Sequence, residues 1–201
     1  QREYLLRLPS GAWPAPLLMV LHGGGGRATQ LERHIDLTEA ALAAGYAVVY
    51  PQGFVKHWND GRLDVEADTV KENVDDVKFL LALVDRLVKA GQADASRVYV
   101  AGISNGAMMT LRLACEAADR LAGIVTVVGS LGVETAETCK PARPLPILML
   151  NGTADPLVPY EGGPVAVLDD ERGAVIPVEQ TLALFAKANG CGAAAVEAVD
   201  D

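Results

Sequence analysis

Histidine, cysteine and aromatic residues are all scarce in this 201-residue chain, which holds three His, three Cys and only 5% Phe, Trp and Tyr. Basic residues are outnumbered too, 17 Lys and Arg against 26 Asp and Glu, for a formal net charge of −9. Each shortage excludes something. An acidic chain lacks the basic face that nucleic acid or an anionic membrane surface selects, so neither is expected as a partner. Cys115, Cys139 and Cys191 have no metal-site spacing and cannot all pair with one another. With three scattered histidines they form no metal-ligand constellation, and no cofactor motif accompanies them. No apolar run approaches the ~20 residues of a bilayer span, the longest being the strand-sized Ala15 to Leu21. No secretory leader pattern opens the chain; it starts at Gln1 and soon enters Tyr4-Leu5-Leu6, which leaves room for a leader already removed.

What is present is apolar and periodic. Half the residues are hydrophobic and 21% charged, too apolar for a disordered chain, and the length fits one domain over residues 1–201. Strand-like runs at Leu17–Leu21, Ala47–Tyr50, Arg97–Ala101, Gly123–Val128 and Pro146–Leu150 alternate with helix-period segments. The helices are expected at Leu31–Ala44, Val74–Ala90, after Gly106 to about Ala117, and at Val178–Ala188. Tyr4 to Leu8 alternates like an antiparallel edge strand. This order predicts an α/β domain with a doubly wound, mostly parallel sheet flanked by helices. The Pro/Gly-rich stretch from Pro156 to Pro177 reads as an excursion over the sheet top.

Three segments carry chemistry. Gly102-Ile103-Ser104-Asn105-Gly106 is a G-x-S-x-G motif between a strand and a helix. A nucleophile elbow needs both glycines, because side chains two residues either side of a serine in a strained turn would collide with its surroundings. His22-Gly23-Gly24-Gly25-Gly26 follows a buried strand, where glycines let backbone N–H groups approach a developing oxyanion. A phosphate-binding loop is the competing reading, but no Gly-Lys-Ser/Thr or G-x-G-x-x-G pattern supports it. Asn151-Gly152-Thr153-Ala154-Asp155-Pro156 puts an acid after the fifth strand, in the order Ser…Asp, although an aspartate before proline also starts ordinary turns. The glycosylation sequon at Asn151 reads as fortuitous so close to the expected site.

Taken with Val49-Tyr50-Pro51-Gln52-Gly53, Trp58-Asn59-Asp60-Gly61-Arg62 and Asn73-Val74-Asp75-Asp76-Val77, these segments resemble the α/β-hydrolase esterases of the polyhydroxybutyrate depolymerase and feruloyl esterase type, the carbohydrate esterase family 1 group. The resemblance spans most of the chain from Pro16 to Cys191. It implies hydrolysis of carboxylic esters of feruloyl, acetyl or hydroxyalkanoate type through an acyl-enzyme on Ser104. Asp155 would be the triad acid, and Gly24 and Asn105 the oxyanion donors. Trp58 and Tyr160, two of the few aromatics, are expected to touch a small or polymeric ester substrate from loops. The resemblance also implies a Cys115–Cys139 bridge and, with it, a secreted or periplasmic location.

One part of the pattern is missing. The family's histidine lies after the acid, yet no histidine follows Asp155. His22 is expected to hold the glycine loop, His34 to lie on a solvated helix face, and His57 to line the site without serving as base. The reading therefore expects a chain that is C-terminally incomplete, lacking its last strand and histidine loop, with a new strand starting at Ala193 to Asp201. A catalytically inactive hydrolase-fold module that binds carbohydrate or ester ligands is the alternative. Asp75 and Asp76 are read as structural, at a helix start, and Asp169-Asp170-Glu171 as a solvated loop.

Overall fold

Parallel strands covered on both faces demand nearly unbroken apolar runs, and these runs become the sheet. A computed structural model describes residues 2–11, 13–63, 67–167 and 170–193. Its strands and helices run β1 (Tyr4–Arg7), β2 (Ala15–Leu21), α1 (Ala28–His34), α2 (Leu37–Ala43), β3 (Ala47–Pro51), α3 (Asp68–Lys71), α4 (Asp76–Lys89), β4 (Ala93–Ile103), α5 (Asn105–Glu116), β5 (Gly123–Val127), α6 (Val133–Thr138), β6 (Ile147–Leu150), β7 (Gly163–Val167), β8 (Asp170–Val175) and α7 (Val178–Asn189). Six strands form one sheet in the order β1-β3-β2-β4-β5-β6. Only β1 is antiparallel, pairing with β3 from Tyr4 opposite Pro51 to Arg7 opposite Val48, as its alternation predicted. The strand expected at the chain's end (194–201) and Asp169 lie outside the described residues.

The central strands hold the core. Leu17, Met19 and Leu21 of β2, Val98 and Val100 of β4, and Leu80, Val84 and Leu87 of α4 pack in one cluster, which α5 joins through Met109, Leu111 and Leu113. Asp75 caps α4 by accepting the Lys78 N–H. Asp76 is fully buried, paired with Arg2 at 2.7 Å and accepting the Asn59 N–H at 2.7 Å. Both are structural, as expected. Cys115 and Cys139 are bridged, with Cα atoms 4.7 Å apart, tying the end of α5 to the segment after α6. Closing that 24-residue separation stabilises the fold by about 3 kcal/mol in the chain-entropy account. Cys191 is free and exposed.

Two expectations need correction. The helix expected over Leu31–Ala44 is two helices, broken at Ile35, whose backbone is extended (φ −121°, ψ 128°). The break lets both Ile35 and Leu37 pack on the Val20–Val48–Tyr50 cluster; residues two apart on one straight helix point to different sides. The stretch Pro156–Pro177 contains the antiparallel β7–β8 hairpin, and Asp170 and Glu171, expected in a loop, open β8. Val158, Val165 and Val175 seat it on Met108 of α5, next to the sheet's C-terminal edge.

Candidate active site

The sheet delivers its loops to one edge. Ser104 follows β4 directly and sits at φ 53°, ψ −123°, a conformation L residues rarely adopt. Its N–H donates to Val127 O at 2.9 Å and its carbonyl accepts the Met108 N–H at 3.0 Å, so the strained turn is fixed from β5 and from α5. A Cβ on Gly102 would lie 2.2 Å from Gly106 O, and one on Gly106 would lie 2.5 Å from both Leu21 O and His22 O. Those contacts are with backbone that has nowhere to go, which is why both flanking positions are glycine.

The glycine loop after β2 lies against the serine. A Cβ on Gly23 would stand 3.4 Å from Ser104 Cβ, and one on Gly24 3.6 Å from Asn105 Cβ. Gly25 and Gly26 spend their N–H groups on Lys56 O and Gly23 O. Among the described residues, the N–H groups of Gly24 and Asn105 and the Oγ of Ser104 have no hydrogen-bond partner. The Asn105 N–H belongs to the first turn of α5, where no intrahelical acceptor exists and the dipole favours negative charge. Two unspent donors thus flank a strained serine. Gly24, Gly25, His57, Arg62, Ser104, Asn105, Met108, Val165 and Arg172 line one cavity of about 280 Å³.

His22 holds its loop. The Nδ1–H donates to Gly23 O at 2.7 Å, while Nε2 accepts the Gly53 N–H at 3.0 Å and an N–H of the Gln52 amide at 3.1 Å. Gln52 Oε1 accepts the Ala28 N–H, which fixes the amide's orientation and leaves the imidazole neutral. Burial pushes this histidine's pKa below its usual value. His34 is exposed on α1, bonded to Gln30 O. His57 lines the cavity with its ring over Gly24 and its Nδ1 on Val55 O.

Neither of the two aromatics expected at the substrate lines this cavity. Trp58 is 2% exposed and outside the cavity lining; its ring is in the core and its indole N–H donates to His22 O at 2.8 Å. Burying the ring while its N–H finds an acceptor is the arrangement tryptophan favours. Tyr160 also lies outside the lining, its hydroxyl donating to Glu179 at 2.6 Å and its carbonyl accepting the Val178 N–H. That bond raises its pKa, with the Glu179 contact as the main cause. The cavity residues that the sequence did not single out are Arg62, Met108, Val165 and Arg172. Arg62 stood in the quoted Trp58–Arg62 segment and Met108 in the Arg97–Met109 run around the G-x-S-x-G motif, which also carries the resemblance; Val165 and Arg172 carried no readable signal.

Asp155 stands in the loop after β6, with Oδ1 accepting the Leu157 and Val158 N–H groups at 2.8 Å each. Among the described residues its Oδ2 has no partner. Asn151 donates its side-chain amide to Gly129 O. No described group of His, Cys, Asp and Glu could hold a metal ion, and no described helix is long and apolar enough to cross a membrane.

Sheet order, the strand–serine–helix elbow and the glycine loop define an α/β-hydrolase fold. The chain belongs to the phospholipase/carboxylesterase family, whose model matches residues 46–167. It is 39% identical to "Putative esterase NocK" of Nocardia uniformis subsp. tsuyamanensis, over 94% of this chain and 57% of that protein. It is 32% identical to feruloyl esterase B of Piromyces equi, over 94% of this chain and 36% of that protein. The chain therefore spans roughly half or less of the length of these relatives. A solved structure of a thermostable esterase superposes with a TM-score of 0.60 at 23% identity, over 79% of this chain and 44% of its own.

Proposed function

We propose that the protein hydrolyses carboxylic esters through an acyl-enzyme on Ser104. The observation that carries this reading is the strained serine with two unspent N–H donors beside it in one cavity. Ser104 Oγ attacks the ester carbonyl while its proton passes to a histidine. The Gly24 and Asn105 N–H groups hold the oxyanion. The histidine returns the proton to the departing alcohol, and water then frees the acid by the same route. Asp155 orients that histidine through Oδ2. It follows β6, two strands from Ser104, a lateral gap of about 10 Å that the two side chains fill with one imidazole between them.

That histidine is not among these 201 residues. Its proposed source is further polypeptide, which would also cover β6, an edge strand with Leu148 and Leu150 half exposed. The name of the Piromyces equi relative favours feruloyl esters, with acetyl and hydroxyalkanoate esters of the polyhydroxybutyrate depolymerase type as further members of the class. The Cys115–Cys139 bridge favours an oxidising, secreted or periplasmic setting. The absent histidine favours a second reading, an inactive hydrolase-fold module binding carbohydrate or ester ligands. Methyl ferulate, p-nitrophenyl acetate and 3-hydroxybutyrate esters, offered to the natural full-length protein and its Ser104→Ala variant, separate the two. Turnover lost in the variant is the esterase result; binding with no Ser104-dependent turnover is the module result.

A further inference from the structure

The segment Trp58–Arg62 touches both sides of the cavity mouth, and the bonds it makes are specific. On one side the Trp58 indole N–H donates to His22 O, the carbonyl directly before the glycine loop, at 2.8 Å. On the other side the Asn105 side chain is held twice by the Trp58 backbone, accepting its N–H at 2.8 Å and donating to its carbonyl at 3.0 Å. The same Asn105 amide donates to Asp60 Oδ2 at 2.6 Å. Asp60 is 4% exposed and is held by the Arg62 guanidinium at 2.8 Å and by the Arg62 N–H at 3.1 Å. Arg62 in turn donates to Arg172 O of the hairpin. The rings of His22 and Trp58 meet at a tilt of 39°, with centroids 5.0 Å apart.

We infer that Trp58, Asp60 and Arg62 are positioning residues for the oxyanion hole: they set the separation of the Gly24 and Asn105 N–H groups. The inference rests on the esterase reading of those two donors. Gly24 hangs from β2 and Asn105 from β4, and a loop of consecutive glycines has no side chains with which to hold itself in place. The Trp58 segment adds to the hold that His22 has on the loop, running from the carbonyl before the loop to the side chain of the residue after the nucleophile. Asp60 keeps the Asn105 amide from turning, because its carboxylate takes the N–H that the Trp58 carbonyl does not. A buried carboxylate left without these partners would be costly, so the network is held as one unit. Oxyanion donors act through geometry, and a displacement of well under 1 Å weakens them.

Butyrate, the carboxylate product of a simple ester, probes the donors without needing a base. In the ¹⁵N-labelled chain it shifts the Gly24 and Asn105 amide resonances on titration. Trp58→Phe keeps a buried aromatic ring but deletes the N–H together with part of the indole's volume; it weakens butyrate at least fivefold and moves both amides in the free protein. Phe185→Leu, a core change on α7 away from the cavity, serves as the control for lost stability and holds the affinity within twofold. Equal weakening in the two variants, or none in Trp58→Phe, overturns the positioning role while leaving the site intact. A chain whose Gly24 and Asn105 amides ignore butyrate overturns the oxyanion reading itself, and the positioning role with it.

Discussion

The two halves of the site are built differently. The half around Ser104 is locked: β2 pairs with both β3 and β4, a Cβ on Gly102 or Gly106 would meet backbone at 2.2 to 2.5 Å, and Trp58, Asp60 and Asn105 form a buried network. The half around Asp155 is open. Its strand β6 has four residues, pairs among the described residues only with β5 and leaves Leu148 and Leu150 half exposed, and the Asp155 carboxylate has one oxygen without a partner among the described residues. On the proposed reading the Ser104 half holds the nucleophile and oxyanion donors within the described residues, whereas the Asp155 half would orient a histidine that these 201 residues do not supply.

Glycine substitutions break this comparison hardest. Gly106→Ala drives a methyl into Leu21 O and His22 O and is expected to cost about 4 kcal/mol or more, read by urea unfolding. Gly152→Ala, with open space around it and an ordinary φ, stays within about 0.5 kcal/mol. Leucine truncations sharpen the contrast at a smaller scale. Leu21→Ala, fully buried beneath the glycine loop, costs about 3 kcal/mol; Leu150→Ala, half exposed on the edge, costs less than about 1 kcal/mol. Equal costs would mean the open half is as well packed as the locked one.

The smallest expected effect is a pH dependence confined to the locked half. Because the folded-state pKa of His22 lies below its ordinary 6.5, the unfolded chain binds a proton more readily near and below that pH. The neutral imidazole's contribution is then present above about pH 6.5 and is lost as pH falls through the folded pKa, by at most about 1.4 kcal/mol per pH unit. His22→Asn removes this slope from a stability profile between pH 5 and 7. A slope that survives the substitution assigns it to another group.

The elbow, glycine loop and sheet were legible because each rests on a local rule: glycines around a strained serine, apolar runs for buried parallel strands, alternation for β1. Trp58, expected to face the substrate, is buried in the core, since spacing says that a loop aromatic is near a site but not which way it points. The network it anchors joins positions 22, 58, 60 and 105, contacts that no local period encodes. The helix break at Ile35 escaped for a related reason, because the need for Ile35 and Leu37 to reach one cluster is set by β2 and β3. The hairpin was hidden by its own glycines and proline, which read as loop until Val165 and Val175 found Met108.

The central claim is that Ser104 and its donors are ready for acyl transfer and lack only a base. Imidazole added to the 201-residue chain supplies one, with p-nitrophenyl butyrate as substrate and Ser104→Ala subtracting the imidazole-only rate. The account predicts background hydrolysis without imidazole and Ser104-dependent hydrolysis that rises with imidazole concentration. Identical rates for the chain and its Ser104→Ala variant at every imidazole concentration would contradict it.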